Sequence, residues 1–341
     1  MIKKITLVLL IIILSSGLAG ASEAETTLIP IPLVFSSPQT GFAIGGMGLY
    51  FNNDNTKSLQ SRVGAFYTSK KQANLFVQAE QNVGEYKYEG QVSYQDWVNE
   101  FYGLNNQLIF SDGVKYDSQG FAVEGAISKK ITTNSFLGLV SNYESYNLNL
   151  HQKLQQDIAG ASGVDVWGWG ANYTYDTRDR RMITRSGQYL NYEFLVQQTI
   201  AADYDFISHD LDYRAFKSLA PGHVLGWQTK IVINNGELPL QKMSSLGNMK
   251  ILRGYKTDKF LAANKAAAQL EYRYPVYKKL SGTLFAGVAK VYQDFSTADL
   301  KESWGVGLRY NLNKKQGVNL RFDFAFNTNQ SNFYFNIGEA F

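Results

Sequence analysis

Long stretches of this chain alternate between apolar and polar positions with a period of two. In EYKYEGQVSYQ, Tyr86, Tyr88, Gly90, Val92 and Tyr94 fall on one face, and Lys87, Glu89, Gln91, Ser93 and Gln95 on the other. VNLRFDFAFN sets Val318, Leu320, Phe322, Phe324 and Phe326 against Asn319, Arg321, Asp323, Ala325 and Asn327. ANLFVQAEQ and GQYLNYEFLV behave alike. Such alternation marks strands whose two faces meet different surroundings. A two-sheet sandwich alternates too, but its strands run to about 5–6 residues. The stretches here match the roughly 9–11 residues of a tilted strand crossing a bilayer, apolar outside and polar inside.

The connections alternate in length as well. VGE (83–85), TTN (132–134), APG (220–222) and NKKQG (313–317) are tight, and longer ones fall near 97–116, 149–164 and 236–262. Short turns on one rim and long loops on the other is the pattern of an outer-membrane barrel. Counting strands gives a short first one at IPLVFSS, ten more before the 236–262 segment and five after it, ending at Phe341. The expected fold class is therefore all-β, a transmembrane antiparallel β-barrel of about 16 strands with a long loop folded into the lumen. The first strand is weak, because Pro30 and Pro32 lack the N–H a ladder needs. Its partner across the closure is the last strand, so the seam is expected to be the least stable part of the wall.

The N-terminus sets the compartment. Lys3 and Lys4 precede an apolar run from Ile5 to Leu14, and Ala19-Gly20-Ala21 fits a small-residue cleavage site. Residues 1–21 read as a signal peptide, 22–30 as a short periplasmic segment and 31–341 as the barrel. After cleavage 31 Lys and Arg face 29 Asp and Glu, a balance that gives no reason to expect nucleic acid as a partner. With no cysteine there is no lipoprotein anchor and no disulfide framework. Tyr and Phe number 22 and 21 against 6 Pro, which suits a barrel girdled by aromatic residues at two interfaces.

Catalytic chemistry finds little support. Ser208–His209 is a poor nucleophile–base pair, since alternation sets His209 with Ile207, Leu211 and Tyr213 on the lipid-facing side. The glycines of GFAIGGMGLY are not followed by a helix, so they mark a bend or a close backbone approach rather than a phosphate cradle. Asp203, Asp205, Asp210 and Asp212 lack the glycine and terminal Glu of a calcium loop; Ser208, Asp210, Asp212 and Arg214 read as a polar lumen row. No enzyme activity, cofactor or metal is expected.

Two motifs together resemble the Omp85 superfamily, the outer-membrane barrels that include BamA, TamA and the bacterial surface antigen (D15) proteins. YTYDTRDRRMITRSGQYL, with Asp176, Arg178, Asp179, Arg185 and Gly187, is similar to that family's YDTRD hairpin, and ILRGY (251–255) to its [VIL]-R-G-[FY] motif. FNIGEAF, with Phe335, Gly338 and Phe341, resembles its terminal strand, whose last aromatic belongs to the assembly signal. The resemblance implies that Leu252, Arg253, Gly254 and Tyr255 lie on a loop folded into the lumen, with Arg253 docked on acidic residues of the inner wall. Glu271 is the expected acceptor, placed inward by alternation with Gln269 and Arg273. The family commonly adds an aspartate in the next strand, in F-x-D-x-G; FAGVA has Gly287 there and Ala289 at the glycine, and Asp323 is the substitute considered.

The resemblance further implies non-catalytic movement or insertion of protein, or of lipid, at the Gram-negative outer membrane. The implied partners are outer-membrane lipids, the barrel-assembly machinery for its own insertion, and a polypeptide client or a POTRA-bearing protein. Ser22 to Pro30 are too few for a POTRA domain, so a barrel-only member is expected. The alternatives are a passive porin-like channel, with 236–262 only a constriction, and a surface antigen or adhesin acting through its loops.

Overall fold

The computed structural model describes residues 26–53, 57–105, 107–150, 158–181, 183–200, 202–296, 298–313 and 318–341. The proposed signal peptide and residues 22–25 lie outside them. Sixteen antiparallel strands close into a barrel. Eleven come first: β1 (Thr26–Ser37), β2 (Gly41–Asn53), β3 (Lys57–Thr68), β4 (Ala73–Val83), β5 (Tyr86–Phe101), β6 (Val114–Thr132), β7 (Ser135–Asn149), β8 (Asp165–Asp176), β9 (Gly187–Ile200), β10 (Asp205–Ala220) and β11 (His223–Gly236). The long connection that follows carries a single 3-10 turn (Leu240–Lys242) and a two-residue ladder, β12 (Ser244–Ser245) with β13 (Leu261–Ala262). Then β14 (Asn264–Tyr277), β15 (Leu280–Tyr292), β16 (Lys301–Asn313), β17 (Val318–Phe326) and β18 (Ser331–Ile337) return the wall to β1.

Alternation sorts the side chains as the sequence predicts. On β14, Gln269, Glu271 and Arg273 are buried while Leu270 is 41% exposed. On the outer wall Tyr86, Tyr88, Phe322 and Phe324 are exposed, and Gln91 and Ser93 of β5 sit on the other face. His209 hydrogen-bonds the Tyr192 hydroxyl on the outer wall, 2.8 Å away, so it faces no nucleophile. The lumen row is ionic: Arg214 clasps Asp212, and Lys230 reaches Asp210. Gly45 of β2 marks a close backbone approach, since a Cβ there would lie 2.1 Å from the Ala65 carbonyl oxygen.

Three boundaries differ from expectation. β1 begins at Thr26, five residues before the expected Ile31, because Thr26–Pro30 pair with Asn52–Gly48 of β2. β5 and β6 extend into the 97–116 segment, pairing as far as Phe101 and Val114. The last strand stops at Ile337 rather than running to Phe341. Gly338 adopts φ +91°, a left-handed conformation that glycine tolerates, and turns the tail off the wall. Phe341 is buried with Phe216 and Val224 of the inner face. Phe335, by contrast, stays in β18 against the ring of Phe322.

The seam is the irregular part of the closure. β1 is laddered to β2 along its whole length, yet to β18 only at Ser36 opposite Phe335. Continuing that register sets Ile337 opposite Val34, so the stretch from Thr26 to Leu33 runs past the end of β18. Pro30 and Pro32 are two apart, so their nitrogens share one edge; with the β2 ladder intact, that edge is the one facing β18. It therefore presents carbonyls at 30 and 32 with no N–H beside them. Hydrogen exchange should find the amide of Leu28, the N–H on that open edge, at least about a hundredfold less protected than those of the β5–β6 ladder. Equal protection would mean that the seam is closed in solution.

Candidate functional site

The connection 237–263 packs back against the inner wall. At its base Lys242 pairs with Glu144 at 2.9 Å, and the Gln241 side chain bonds both backbone groups of Val164. Farther in, Leu246, Ile251, Leu252, Tyr255, Phe260 and Ala262 form an apolar cluster with Ala267 of β14 and Ala289 and Val291 of β15. The small wall residues leave room for the loop. Ala289 stands where the family pattern has glycine, and its methyl group is part of this contact.

Arg253 emerges from that cluster with 1% exposure. One terminal nitrogen donates to Glu271 Oε2 at 2.7 Å and the other to Asp323 Oδ2 at 2.6 Å. Both carboxylates are fully buried. The guanidinium carbon lies 3.5 Å over the centre of the Phe285 ring, and Nε has no acceptor. Stacking on an aromatic face is a favourable use of a desolvated guanidinium, worth about 2 kcal/mol. Phe285 is the aromatic of the altered F-x-D-x-G pattern. The missing acid at Gly287 is thus answered from β17 by Asp323.

Backbone geometry holds the arginine in place. Leu252 has φ +50°, an unusual value for a bulky residue, stabilised here by its burial in the apolar cluster. Gly254 has φ +112°; a Cβ there would make only ordinary contacts, so conformation rather than space calls for glycine. Its N–H donates to Tyr334 Oη at 2.9 Å, and its carbonyl accepts from the amides of Asn327 (2.7 Å), Asn332 and Gln330. Tyr255 donates its hydroxyl to the Glu302 carbonyl oxygen.

Around this pair lies a network that the motifs alone did not specify. Arg309 donates to Asp323 Oδ1 at 2.6 Å and to Glu339 Oε2 at 2.9 Å. Arg273 donates to Glu271 Oε1 at 2.8 Å and to the Phe341 carbonyl oxygen at 3.0 Å. Arg321 sits 3.5 Å from Asp323 and donates to the Met249 carbonyl oxygen of the loop. Inward parity on β16 and β17 was the available signal for Arg309 and Arg321. Glu339 gave none, because a strand continuing to Phe341 would set it on the face of Phe335, whereas the chain leaves the wall at Gly338.

The YDTRD turn, residues 177–186, occupies the opposite rim. Arg178 clasps Asp176 with two bonds and stacks on Tyr189, and Asp179 Oδ1 accepts the N–H groups of Arg185 and Ser186. Gly187 has φ +103°, and a Cβ would sit 2.2 Å from the Thr177 carbonyl oxygen. This is more than a solvated turn closed on its own ion pairs. Arg181 reaches Glu80 on β4 at 3.0 Å, and the Thr184 carbonyl accepts from Arg273 at 3.3 Å. The turn therefore touches two separate parts of the inner wall at the mouth where the C-terminal tail also tucks in.

The Omp85 superfamily domain matches residues 44–341, and the chain belongs to that superfamily. BamA from Haemophilus ducreyi lacking POTRA domains 1–3 shares the fold at 12% identity and TM-score 0.63, over 93% of this chain and 71% of that one. CdiB from Acinetobacter baumannii matches at 11% and 0.62, over 94% of this chain and 60% of that one. CdiB from Escherichia coli matches at 12% and 0.62, over 94% and 64%. This chain thus spans 60–71% of the length of these structures, and the likeness is one of fold. No protein of curated function matches it by sequence. Omp85-type barrels are characteristic of the Gram-negative outer membrane.

Two predictions follow from the docked loop. Removing Arg253 takes one charge-assisted hydrogen bond from each of Glu271 and Asp323, about 1.5–3 kcal/mol apiece, while Arg273 and Arg309 still hold the two acids. Arg253→Ala should turn a quiet barrel into a noisy, open one in planar-bilayer conductance. Arg253→Lys should rescue it only partly, since one ammonium lacks the fork that spans both acids. Unchanged conductance in both variants would mean that the loop does not depend on this contact.

The second concerns pH. Burial pushes the Asp258 carboxyl of the loop up to about 6, against the pull of the Ser245 hydroxyl and the Lys265 ammonium. A carboxyl raised on docking favours the docked form at low pH and loses that contribution as pH rises through about 6. Conductance should therefore be quieter at pH 5 than at pH 7.5, and Asp258→Asn should flatten the difference. A reversed dependence would contradict this assignment.

Proposed function

We propose that this Omp85 barrel moves or inserts polypeptide at the outer membrane without catalysis, by offering the unpaired edge of β1 to a client strand. The carrying observation is the seam, where β1 runs from Thr26 to Leu33 beyond the end of β18. Unpaired strand edges are templates for another strand. In an antiparallel pairing an incoming strand supplies N–H groups to the carbonyls of Pro30 and Pro32, and the prolines return none. This bias weakens permanent closure by β18 while still allowing a transient partner. The docked loop 237–263 braces the lumen beside the seam, holding Tyr334 of β18 through Gly254. The partners would be a polypeptide client and a POTRA-bearing protein, and the chain is exported with its signal peptide cleaved after Ala21.

A passive channel is the second reading, supported by Glu124. Register on β6 turns it inward opposite Gln91 and Asn142, yet it is exposed, so the lumen beside the loop is solvated.

The two readings separate on a crosslink. Cysteine is absent from the natural chain, so Ser36→Cys with Phe335→Cys places one pair at the observed seam register. In vesicles the reduced barrel should accelerate folding of a small, urea-unfolded outer-membrane barrel, and oxidation should remove most of that gain. Acceleration unaffected by the disulfide would sink the templating mechanism. No acceleration, with steady solute flux in both redox states, would favour the channel.

A further inference from the structure

The rim that carries the long loops is uneven. The β3–β4 hairpin ends at residues 69–72, whereas β5 continues from Asp96, opposite Ala73, up to Phe101. In the step between them lies a cavity of about 520 Å³, lined by Lys70, Lys71, Lys115, Lys256, Glu100 and Val98 among others. Val98 and Glu100 share parity with Tyr88 and Tyr94, so this part of the lining faces the outer wall, and Lys115 is directly opposite Glu100. Below the step the wall shows exposed Tyr67, Leu75 and Tyr94.

Four lysines meet one carboxylate here, and that carboxylate is occupied. Glu100 accepts from Lys256 and, at 2.6 Å, from the Tyr102 hydroxyl. Lys70 donates to the Pro38 carbonyl oxygen at 2.6 Å, which leaves its charge uncompensated. Among the described residues the ammonium groups of Lys71 and Lys115 have no hydrogen-bond or ion-pair partner. Lys71 also holds φ +64°, where glycine would fit without strain, with its N–H bonded to the Thr68 carbonyl oxygen. Partial burial, and then repulsion by Lys256, hold the Lys70 ammonium below its usual range. A concave site with surplus positive charge set above an apolar, aromatic wall matches a headgroup whose chains lie along that wall.

We propose that this notch binds a phosphate ester carried on a membrane lipid, with Lys71, Lys115 and Lys70 around the phosphate and the acyl chains beside Tyr67, Leu75 and Tyr94. The inference is independent of the client-templating reading. It gives the barrel a specific lipid contact on the long-loop rim beside its first hairpins. Lys256, three residues after Arg253, ties the same site to the docked loop.

The test uses the full barrel in neutral detergent, with native mass spectrometry of diphosphoryl lipid A against phosphatidylcholine. Lipid A should bind preferentially, and Lys71→Gln with Lys115→Gln should weaken it about thirtyfold, as expected for two lysines at an anionic headgroup. Lys71→Arg with Lys115→Arg should retain binding, and heat-modifiable gel mobility checks that each variant is folded. Equal retention of the two lipids, or undiminished lipid A binding by the folded Gln pair, would overturn the site. Displacement by inorganic phosphate at concentrations matching the lipid would overturn the lipid assignment, leaving a free-anion site.

Discussion

The contact between Arg253 and the paired carboxylates Glu271 and Asp323 is the constraint around which the inner half of this barrel is arranged. Bringing a guanidinium and two carboxylates to full burial costs several kcal/mol per ion, and their attraction roughly offsets that cost when the geometry is good. The network is therefore better understood as specifying position than as a store of stability. The two acids stand on β14 and β17, with Phe285 of β15 beneath. Only a planar, forked cation can join both acids while stacking on that ring. The loop consequently has one place to dock, and Gly254 then meets the polar side chains of β18 and of the turn before it.

Much of this was legible in the chain. Period-two alternation separates wall from lumen because lipid and water are such different surroundings, and the tally of eleven strands, a long loop and five strands matches the structure. Parity alone set Glu271, Asp323 and Arg273 inward, and the structure brings the first two to Arg253. What sequence reasoning missed is non-local or lies beyond the strands. Arg181 and Glu80 are about a hundred residues apart, and no periodicity predicts that a turn will cross a barrel mouth. The tail was misread because alternation assumes that a strand continues. Phe335 and Phe341 differ by an even number and so share a face only if Gly338 keeps an extended backbone, which it does not.

That inward tail links the interior to the seam. Glu339 accepts from Arg309 and from the Asn319 amide, and the Phe341 carbonyl accepts from Arg273. These arginines also hold Asp323 and Glu271, the acids on which Arg253 docks. Loop and tail are thus two ligands of one buried charge cluster, with four arginines (253, 273, 309 and 321) facing three carboxylates (271, 323 and 339). Every carboxylate in such a set is strongly held, and withdrawing any one increases the uncompensated positive charge.

The consequence is felt on the outside of the wall. Residues 338–341 are the segment that would otherwise continue β18 along β1, past Val34 toward the prolines. Glu339 finds inside the barrel two donors, one of them charged, whereas extending along β1 would set the tail beside an edge lacking N–H groups at 30 and 32. Both preferences act in the same direction. The open stretch of β1 therefore follows from an interior that attracts the tail and an edge that offers it little, and it need not be a flaw in barrel closure. Under the proposed templating, a client strand would differ from the tail in this respect: it has no arginine cluster to leave, so the same poorly matched edge is less unfavourable for it than for residues 338–341.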